Sequence, residues 1–380
     1  MDAAHRLDFL IIGAGIAGAS VAAWLAPRAQ VAVLEAEAQP GYHSTGRSAA
    51  AFIASYGPPG VRALSRASLP FFRNPPAGFA DHALLQPRGL LTLVKPEHAD
   101  RLAELPVALA SEGVTLERWS IAQAAERVPT IRAERFAAAL FEPDACDMDV
   151  HAIHQGYLNQ LRRAGGALIC DARVETLTRS PDGWQVTDQR GRSWQAAVLI
   201  NAAGAWADRV AGLACLPPLG LQPMRRSAFV FAPPADLDVH DWPLLMSSDE
   251  SWYIKPDAGL LLGSPANADP TEPQDVQPEL LDIAAGIDRI EQDLALTVGR
   301  PKRTWAGLRT FSPDGELVGG FDPLDLGFFW VAGQGGYGIQ TSAAMGRACA
   351  RLALREPLDA DLIAAGVQAE RLSPARMRQG

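Results

Sequence analysis

Cysteine and positive charge are both scarce in this chain of 380 residues. The four cysteines, Cys146, Cys170, Cys215 and Cys349, lie far apart, so there is no CxxC redox pair, cysteine zinc site or disulfide framework. We expect free thiols in a reducing cytoplasm. The 34 basic residues are outnumbered by 43 acidic ones, and the net charge is -9. Nucleic acids and anionic membrane surfaces bind basic faces, so neither partner is expected.

Histidine is also rare, with seven residues and one close pair, His151 and His154. An i, i+3 pair without an HExxH motif is typical of a solvated helix face, so no metal site is predicted. The chain is too long for one compact core, which predicts two domains or one large domain with an insertion.

An uncharged run, FLIIGAGIAGASVAAWLA at 9–26, is long enough to span a membrane. Gly13, Gly15 and Gly18 fall in its first half, where they disfavour a continuous helix and favour a tight turn. The residues before them form an apolar run typical of a buried strand, and the small residues after them suit a helix packed on a sheet. No integral membrane segment or signal peptide is therefore predicted.

A second apolar run, VAVLE at 31–35, completes a strand, turn, helix, strand and acid in the order of a dinucleotide site. Gly13 permits the sharp turn, Gly15 lets the backbone approach a pyrophosphate, and Gly18 allows close packing. The helix start offers N–H groups to phosphates, and the acid suits a ribose hydroxyl but not a 2′-phosphate, which disfavours NADP. The other predicted contacts of this unit are Ile16, Ala17, Glu35 and Ala36.

The next segment, EAEAQPGYHSTGRSAAAF at 35–52, is a polar loop where an NAD dehydrogenase would continue with a crossover helix. Its hydroxyl and guanidinium groups suit phosphates and the edge of a flavin. The alternative is a solvated loop that caps the following helix. The candidate cofactor residues here are His43, Ser44, Thr45, Arg47, Ser48, Ala49 and Ala50.

Two more strand-to-glycine turns occur, in AAVLINAAGAWAD at 196–208 and GFFWVAGQGGYGIQTSAAMG at 327–346. Turns spread so far along the chain predict one extended ligand, FAD, at the carboxyl edge of one sheet. A second helix N-terminus there would stabilise negative charge on a reduced flavin. No cysteine lies in the turns, so the FAD is expected to be non-covalent. The candidate residues are Val174, Ala203, Gly204, Trp206, Gly335, Gly336, Tyr337, Gly338 and Ile339.

Several motifs in order, IIGAGIAGAS, AQPGYHSTGRSAA, NAAGAW, LQPMRRSAF, KPDAGLLLGSPANADP, TWAGLR and GQGGYGIQTSAAMG, resemble the D-amino-acid oxidase superfamily, the DAO family of flavoproteins. The resemblance is closest to bacterial D-arginine dehydrogenases and covers nearly the whole chain. It implies an α/β fold with a Rossmann-like FAD-binding domain of the glutathione-reductase type and an antiparallel-sheet substrate domain. We expect the FAD-binding domain in 1–57, 146–220 and 315–380, and the substrate-binding domain in 58–145 and 221–314.

The resemblance implies oxidative deamination of a D-amino acid to a 2-oxo acid and ammonia, by hydride transfer from the α-carbon to flavin N5. We also expect a quinone-type respiratory or artificial electron acceptor. The expected location is the cytoplasm, and loose membrane association is left open. The alternatives are an oxygen-using D-amino-acid oxidase or glycine/sarcosine-type oxidase, a 2-hydroxy-acid dehydrogenase on the same fold, and a flavin-binding protein without turnover.

Binding a substrate carboxylate calls for arginine, whose planar fork donates two parallel hydrogen bonds. Arg225 and Arg226 are adjacent on a predicted strand and point to opposite faces, so only one can face the site. The resemblance selects Arg226. Arg309 lies in the otherwise apolar segment TWAGLR, where an unpaired charge is costly. Either arginine alone is also compatible with a surface or salt-bridged position.

The resemblance adds three more candidates around the reacting carbon. It places the Tyr253 hydroxyl on the carboxylate, with a core aromatic as the alternative. Tyr56 lies in ASYGPPG, which suits a loop that folds over the substrate and excludes water. The carbonyl of Gly336 is a candidate partner for the amino group. We assign no general base.

The chain departs from the D-arginine dehydrogenases at two positions. Ala51 and Leu90 stand where those enzymes have a histidine and a glutamate that faces a cationic side chain. Losing such a charged hydrogen bond costs about 1.5–3 kcal/mol. We therefore predict a preference for apolar or neutral D-amino acids, unless Asp249 or Glu250 compensates.

Overall fold

A computed structural model describes residues 6–378, except the side chain of Arg101. The strands are β1 (Leu7–Ile12), β2 (Val31–Leu34), β3 (Ala51–Phe52), β4 (Leu85–Pro87), β5 (Leu90–Val94), β6 (Glu117–Trp119), β7 (Ala138–Glu142), β8 (Cys146–Met148), β9 (Ala167–Ile169), β10 (Val174–Ser180), β11 (Gly183–Asp188), β12 (Ser193–Asn201), β13 (Gln222–Phe231), β14 (Leu244–Ser247), β15 (Tyr253–Asp257), β16 (Leu260–Ser264), β17 (Asp269–Pro270), β18 (Arg303–Phe311), β19 (Val318–Asp322) and β20 (Asp325–Ala332). The helices are α1 (Ile16–Leu25), α2 (Pro59–Arg73), α3 (Ala99–Ala103), α4 (Leu105–Ala110), α5 (Ile121–Arg127), α6 (Val150–Arg163), α7 (Ala207–Leu213), α8 (Leu280–Asp293), α9 (Gly338–Ala353), α10 (Ala360–Ala364) and α11 (Ala369–Leu372).

The first sheet has a parallel centre in the order β9, β2, β1, β12, β20, with β10, β11 and β19 antiparallel at its margins. Its central strands are buried on both faces, which explains their continuous apolar runs. Phe9 and Ile11 of β1 pack with residues of α1 and α9 on one face. Leu10 and Ile12 pack with Trp184 of β11 and with α7 on the other. The carboxyl ends of β1, β2, β12 and β20 therefore lie along one edge.

The second sheet, here called the roof sheet, has the strand order β18, β13, β16, β15, β14, β5, β7, β6. The short strand β17 pairs with β13 on the same side as β16. Its pairings are antiparallel except that of β5 with β14. One face carries Phe229, Trp252 and Ile254 and packs on Ile283 and Ile290 of α8. The opposite, inner face carries the candidate substrate residues.

A short sheet of β3, β8 and β4 lies between these two. Helix α2 falls in 58–145, the segment expected in the substrate domain, yet its Val61 and Leu64 share a core with Met345 of α9. The division into domains at the predicted boundaries remains a prediction. No helix within residues 6–378 has the length and hydropathy needed to cross a bilayer.

Candidate active site

A cavity of about 500 Å³ runs along the carboxyl ends of β1, β2, β12 and β20, and all three glycine turns line it. Its wall contains most residues that the sequence assigns to the cofactor. These are Gly13, Gly15, Ile16, Ala17, Glu35, Ala36, His43, Ser44, Thr45, Val174, Ala203, Gly204, Trp206 and Gly335.

The first turn is closely packed at two of its three glycines. Gly13 has a φ of +102°, and a Cβ there would lie 2.5 Å from the carbonyl oxygen of Ala202. A Cβ on Gly18 would lie 1.9 Å from the carbonyl oxygen of Gly13. A Cβ on Gly15 would meet only the Thr45 hydroxyl, at 3.4 Å. Glycine at 15 is thus not required by contacts within the protein, and it keeps the cavity wall open to a ligand.

Polar groups at this end suit a nucleotide. The N-cap residue of α1, Gly15, has no side chain to cap the helix, and the N–H of Ile16 donates to the Thr45 hydroxyl at 3.0 Å. Glu35, at the end of β2, accepts the N–H groups of Ala14 at 2.8 Å and Glu37 at 3.0 Å. Burial raises the pKa of Glu35, although the two amides partly offset this. A helix N-terminus for phosphates and an adjacent acceptor for ribose hydroxyls fit the FAD expected from the sequence.

Gln334, in the turn between β20 and α9, also supports bound FAD. Its Nε2 atom is buried and has no hydrogen-bond partner among residues 6–378, and its side chain borders both this cavity and its neighbour. A buried donor without a partner is costly, so a ligand acceptor is expected beside it. The N-terminus of α9 that follows has no side-chain cap either.

The polar loop before β3 differs in part from expectation. The Arg47 guanidinium forms an ion pair with Asp275 and donates to the carbonyls of Val276 at 3.0 Å and Ala306 at 3.2 Å. Its charge is therefore paired with a distant loop, although the residue lines the cavity next to this one. Its predicted contact with the phosphates or the flavin edge remains a prediction. His43 bonds through Nε2 to Glu37 at 2.9 Å and lies beside Trp206.

A smaller cavity of about 90 Å³ adjoins the first, and the roof sheet covers it. The walls of the two cavities share six residues, Ile16, Ser44, Thr45, Leu308, Gln334 and Gly335. The predicted residues that line the smaller one are Ile16, Ser44, Thr45, Arg47, Ser48, Ala49, Arg226, Tyr253, Arg309, Gly335, Gly336, Gly338 and Ile339. No carboxylate or histidine lines it among the described residues, in keeping with the absence of an assigned base.

Two arginines face this cavity from adjacent strands. Arg226 lies opposite Gly307, and Arg309 lies opposite Met224, which places both side chains on the inner face of the roof sheet. Arg226 donates from Nε to the carbonyl of Asn267 at 2.5 Å, and Arg309 donates from Nη1 to the Tyr56 hydroxyl at 3.3 Å.

Arg225 points the other way, where it forms ion pairs with Asp269, Glu279 and Asp282. Neither Arg226 nor Arg309 has an acidic partner within the part of the chain that the structure describes. The two guanidinium groups therefore form a cationic pair that is open to an anionic ligand, here called the carboxylate clamp together with Tyr56 and Tyr253.

The charges of the clamp affect one another. Burial lowers the pKa of Arg226, and the neighbouring charge of Arg309 lowers it further. Burial raises the pKa of Tyr253, but the charges of Arg309 and Arg226 more than offset this, so its pKa lies below the ordinary value. A bound carboxylate would relieve the repulsion between the guanidinium groups, so the site favours an anion at this position.

Tyr56 is already held in the clamp. Gly336 lies against it, because a Cβ on Gly336 would be 3.1 Å from Nη1 of Arg309 and 3.2 Å from the Tyr56 hydroxyl. Tyr337 lines neither cavity but packs edge-on against Tyr56, with ring centroids 4.8 Å apart. The sequence predicts a loop that closes over substrate, whereas the structure has the tyrosine in place with its hydroxyl bonded.

The two positions predicted to contact the substrate side chain lie in an apolar cluster beside Tyr253. Its members are Ala51, Ile53, Leu90, Ala145, Leu244, Met246 and Tyr253. Neither Ala51 nor Leu90 lines the smaller cavity, so their role in the substrate pocket remains a prediction. Asp249 and Glu250 are exposed and lie outside this cluster.

Two other positions differ from their assigned places. Ala50 lines neither cavity and packs in an apolar cluster, whereas Gly18, which also lines neither, makes the close packing predicted for it. His154 is buried rather than solvated, and its Nε2 bonds to the carbonyl of Ala14 at 2.8 Å, so it supports the first glycine turn. No group of three or more His, Cys, Asp or Glu side chains suited to a metal is found in residues 6–378.

Sequence reasoning missed several residues of the site. Gln334 sits inside a glycine turn and could have been found from that position alone. Leu244 and Met246 alternate on a short strand next to the β5 strand of Leu90, a pairing that sequence does not show. Gln340 and Glu142 act through hydrogen bonds to residues more than 80 positions away and carry no local signal.

The comparisons with known proteins agree with this arrangement. The family model described as FAD dependent oxidoreductase, DAO, matches residues 8–352. Glycine oxidase of Geobacillus kaustophilus is 27% identical over 94% of this chain and 96% of its own. Its crystal structure superposes with a TM-score of 0.82 at 23% identity, covering 96% of this chain and 99% of that one.

Two further proteins are similar. L-2-hydroxyglutarate dehydrogenase of Salmonella houtenae is 30% identical over 60% of this chain and 54% of its own. The crystal structure of L-proline dehydrogenase from P. horikoshii has a TM-score of 0.83 at 19% identity and covers 99% of this chain and 98% of that one. The predicted superfamily, fold class and FAD cofactor are thereby confirmed, while the finer resemblance to D-arginine dehydrogenases remains a prediction. The chain belongs to the DAO family of FAD-dependent oxidoreductases.

Proposed function

We propose that this FAD-dependent oxidoreductase converts D-amino acids to 2-oxo acids and ammonia and favours apolar or neutral side chains over D-arginine. The D-configuration rests on the resemblance to D-arginine dehydrogenases. The FAD is held without a covalent bond, and the acceptor is a quinone-type compound in a cytoplasmic enzyme.

The carboxylate clamp carries the proposal. Arg226 and Arg309 share one face of the roof sheet and have no acidic partner among residues 6–378, beside a cavity that adjoins the dinucleotide cavity. Two half-buried cations without a counter-ion are unfavourable, so the site is built for an anion that arrives with the ligand. A planar carboxylate suits two planar guanidinium groups.

Each residue of the clamp has a defined task. Arg226 and Arg309 bind the carboxylate, and the Tyr253 and Tyr56 hydroxyl groups donate to it. Gly336 lines the same cavity and lies against Arg309 and Tyr56, and its carbonyl accepts from the amino group on the adjacent carbon. FAD supplies the acceptor for the hydride that leaves the α-carbon. With the head group fixed, the remaining task is orientation, which holds the Cα–H toward the shared wall of the two cavities.

The side-chain preference rests on the apolar cluster beside Tyr253. Leu90, Leu244 and Met246 share the inner face with Tyr253. Leu90 lies opposite Leu244 and Tyr253 lies opposite Met246, and Leu244 and Met246 are two residues apart on β14. None of these side chains can neutralise a guanidinium, whereas all of them favour a substrate such as D-leucine, D-methionine or D-phenylalanine.

The relatives favour a second candidate, because one of them is an L-2-hydroxyglutarate dehydrogenase and another a glycine oxidase. The clamp serves a 2-hydroxy acid or glycine as well as a D-amino acid. Ammonia is formed from amino acids and not from hydroxy acids, so its release separates the two classes.

Anaerobic mixing of the yellow protein with D-amino acids, L-amino acids, glycine and 2-hydroxy acids tests the proposal. We expect D-leucine, D-methionine or D-phenylalanine to bleach the flavin fastest, with one ammonia per flavin reduced. Fastest reduction by an L-amino acid, a hydroxy acid or D-arginine would contradict it. Reoxidation of the reduced protein, first by air and then by a quinone analogue, separates an oxidase from a dehydrogenase.

A further inference from the structure

We propose that Glu142 is a positioning residue that holds Tyr56 in the carboxylate clamp through the strap, defined as residues 53–56. The inference rests on the proposed binding of a substrate carboxylate, but not on the identity of the substrate. Glu142 lies at the end of β7 and touches neither cavity.

Glu142 is fully buried, with 0% of its surface exposed. One carboxylate oxygen accepts the N–H of Ala54 at 2.7 Å and the N–H of Ser55 at 3.3 Å, and the other accepts the Ser55 hydroxyl. Burying a carboxylate without a cation is costly, and three donors from two consecutive residues offset that cost. The strap is thus the partner of Glu142, and it ends at Tyr56.

A second anchor holds the other end of the strap. Gln340 of α9 accepts the N–H of Ile53 at 3.2 Å and donates to the carbonyl of Ile53 at 3.2 Å and to the Ser65 hydroxyl at 2.8 Å. Glu142 belongs to the roof sheet and Gln340 to the helix that follows the third glycine turn. The strap therefore links the roof sheet to α9. It determines where the Tyr56 hydroxyl lies relative to Arg309.

The chemistry of Glu142 fits this role better than a catalytic one. Burial raises its pKa, although the hydrogen bonds from Ser55 and Ala54 partly offset this. Its oxygens are directed at the strap and its nearest neighbour in the register is Leu90 rather than a clamp residue. It can affect the reaction only by moving Tyr56.

Three variants of the holoenzyme separate this role from general stability. Glu142→Leu removes all three acceptor contacts, Glu142→Gln keeps an oxygen for the amides and a polar atom for Ser55, and Tyr56→Phe removes the hydroxyl itself. The probe is benzoate, a simple monocarboxylate, whose binding is followed through the flavin spectrum. A matched control is Asp188→Asn, since Asp188 is also buried, accepts the N–H groups of Arg190 and Arg192 at 2.9 Å, and lines neither cavity.

We expect Glu142→Leu and Tyr56→Phe each to weaken benzoate about tenfold, from the loss of one hydrogen bond to a charged group. Because both act through the same hydroxyl, the double variant should be no more than about twofold weaker than either single one. Glu142→Gln should restore most of the binding, and Asp188→Asn should leave it unchanged. Multiplication of the two single effects, or no effect of Glu142→Leu, would overturn the proposal.

Two further outcomes separate the role of Glu142 from protein folding and from the proposed function. If Glu142→Leu yields no folded protein, Ser55→Ala in the wild-type and Tyr56→Phe backgrounds gives the same comparison, with a two- to fivefold loss expected only in the former. If benzoate binds as predicted but no amino acid reduces the flavin, the proposed function fails and the role of Glu142 stands. Absence of benzoate binding to the wild-type protein would overturn both.

Discussion

Arg226 and Arg309 lie on adjacent antiparallel strands with their side chains on the same face, and neither forms an ion pair among residues 6–378. Their neighbour Arg225 faces the opposite side and contacts three acids. The inner face of the roof sheet therefore carries two arginines without an ion pair, whereas the arginine on the opposite face is neutralised by acids.

Replacing Arg226 with Met should therefore raise KM for a D-amino acid about ten- to more than a hundredfold, because a charged hydrogen bond contributes about 1.5–3 kcal/mol. Flavin content should not change. Arg225→Met is the matched control and should alter melting temperature but leave KM within about twofold. Steady-state kinetics on both variants checks this, and an equal rise in KM for Arg225→Met would contradict the assignment of faces.

The apolar cluster predicts that Leu90→Glu changes selectivity. A carboxylate beside Tyr253 gives a cationic side chain a partner, so kcat/KM for D-arginine relative to D-leucine should rise about tenfold or more. Leu90→Met, which keeps volume and polarity, should leave the order of substrates unchanged. If Leu90→Glu retains its flavin and the ratio stays constant, Leu90 does not contact the substrate side chain.

The first glycine turn predicts opposite outcomes for neighbouring glycines. Gly15→Ala should fold, because its Cβ meets only the Thr45 hydroxyl at 3.4 Å, yet FAD affinity should fall at least about tenfold where the backbone faces the phosphates. Gly13→Ala should destabilise the apoprotein by about 1–3 kcal/mol from backbone strain alone, before the clash with Ala202. Apoprotein melting temperature and FAD titration measure the two effects. Normal FAD binding by a folded Gly15→Ala protein would argue against the site.

Acid should weaken the ion pairs that Arg62 and Arg66 of α2 form with Glu112, which follows α4. Hydrogen bonds from Arg62 and Arg66 to Glu112 lower its pKa to about 2, with burial opposing the shift. Since the folded pKa lies below the ordinary value of 4.5, the stabilisation is complete above about pH 4.5 and is lost as the pH falls toward 2. Because these side chains are partly exposed, the ion pairs stabilise the folded protein by about 1 kcal/mol.

Glu112→Gln should accordingly lower the melting temperature by roughly 1–2 °C at pH 7 for a chain of this length, and by less at pH 3.5. Glu126→Gln, at an exposed position, is the control and should change it at neither pH. A difference for Glu112→Gln that stays constant between the two pH values would rule out the ion pair as its source.

Local pattern was sufficient for the parts of the fold that depend on neighbouring residues. The strand, turn and helix around Gly13 and Gly18 follow from spacing because Gly13 has a positive φ and Gly18 packs on Gly13 inside the same unit. The alternation on β13 predicts that Arg225 and Arg226 face apart, but only a resemblance could choose between them. The acids that form ion pairs with Arg225 lie 44 to 57 residues later in the chain.

Long-range partners explain where the structure differs from what local patterns suggest. Arg47 is neutralised by Asp275, and His154 is buried against Ala14, 140 residues away. The strap that precedes Tyr56 is held by hydrogen bonds from Ala54 to Glu142 and from Ile53 to Gln340, and no local motif predicts either partner. Where the role of a side chain depends on what packs against it from a distant segment, sequence alone gives its chemistry but not its direction.

The most direct test of the account is an anaerobic titration of the purified yellow protein with D-leucine, repeated on the Arg226→Met/Arg309→Met variant. The account predicts that the wild-type flavin is bleached with release of one ammonia and one 2-oxo acid per flavin, and that the variant keeps its flavin but is reduced at least about a hundredfold less efficiently at low substrate. A colourless wild-type protein that does not take up FAD, or a variant reduced as efficiently as the wild type, would contradict it.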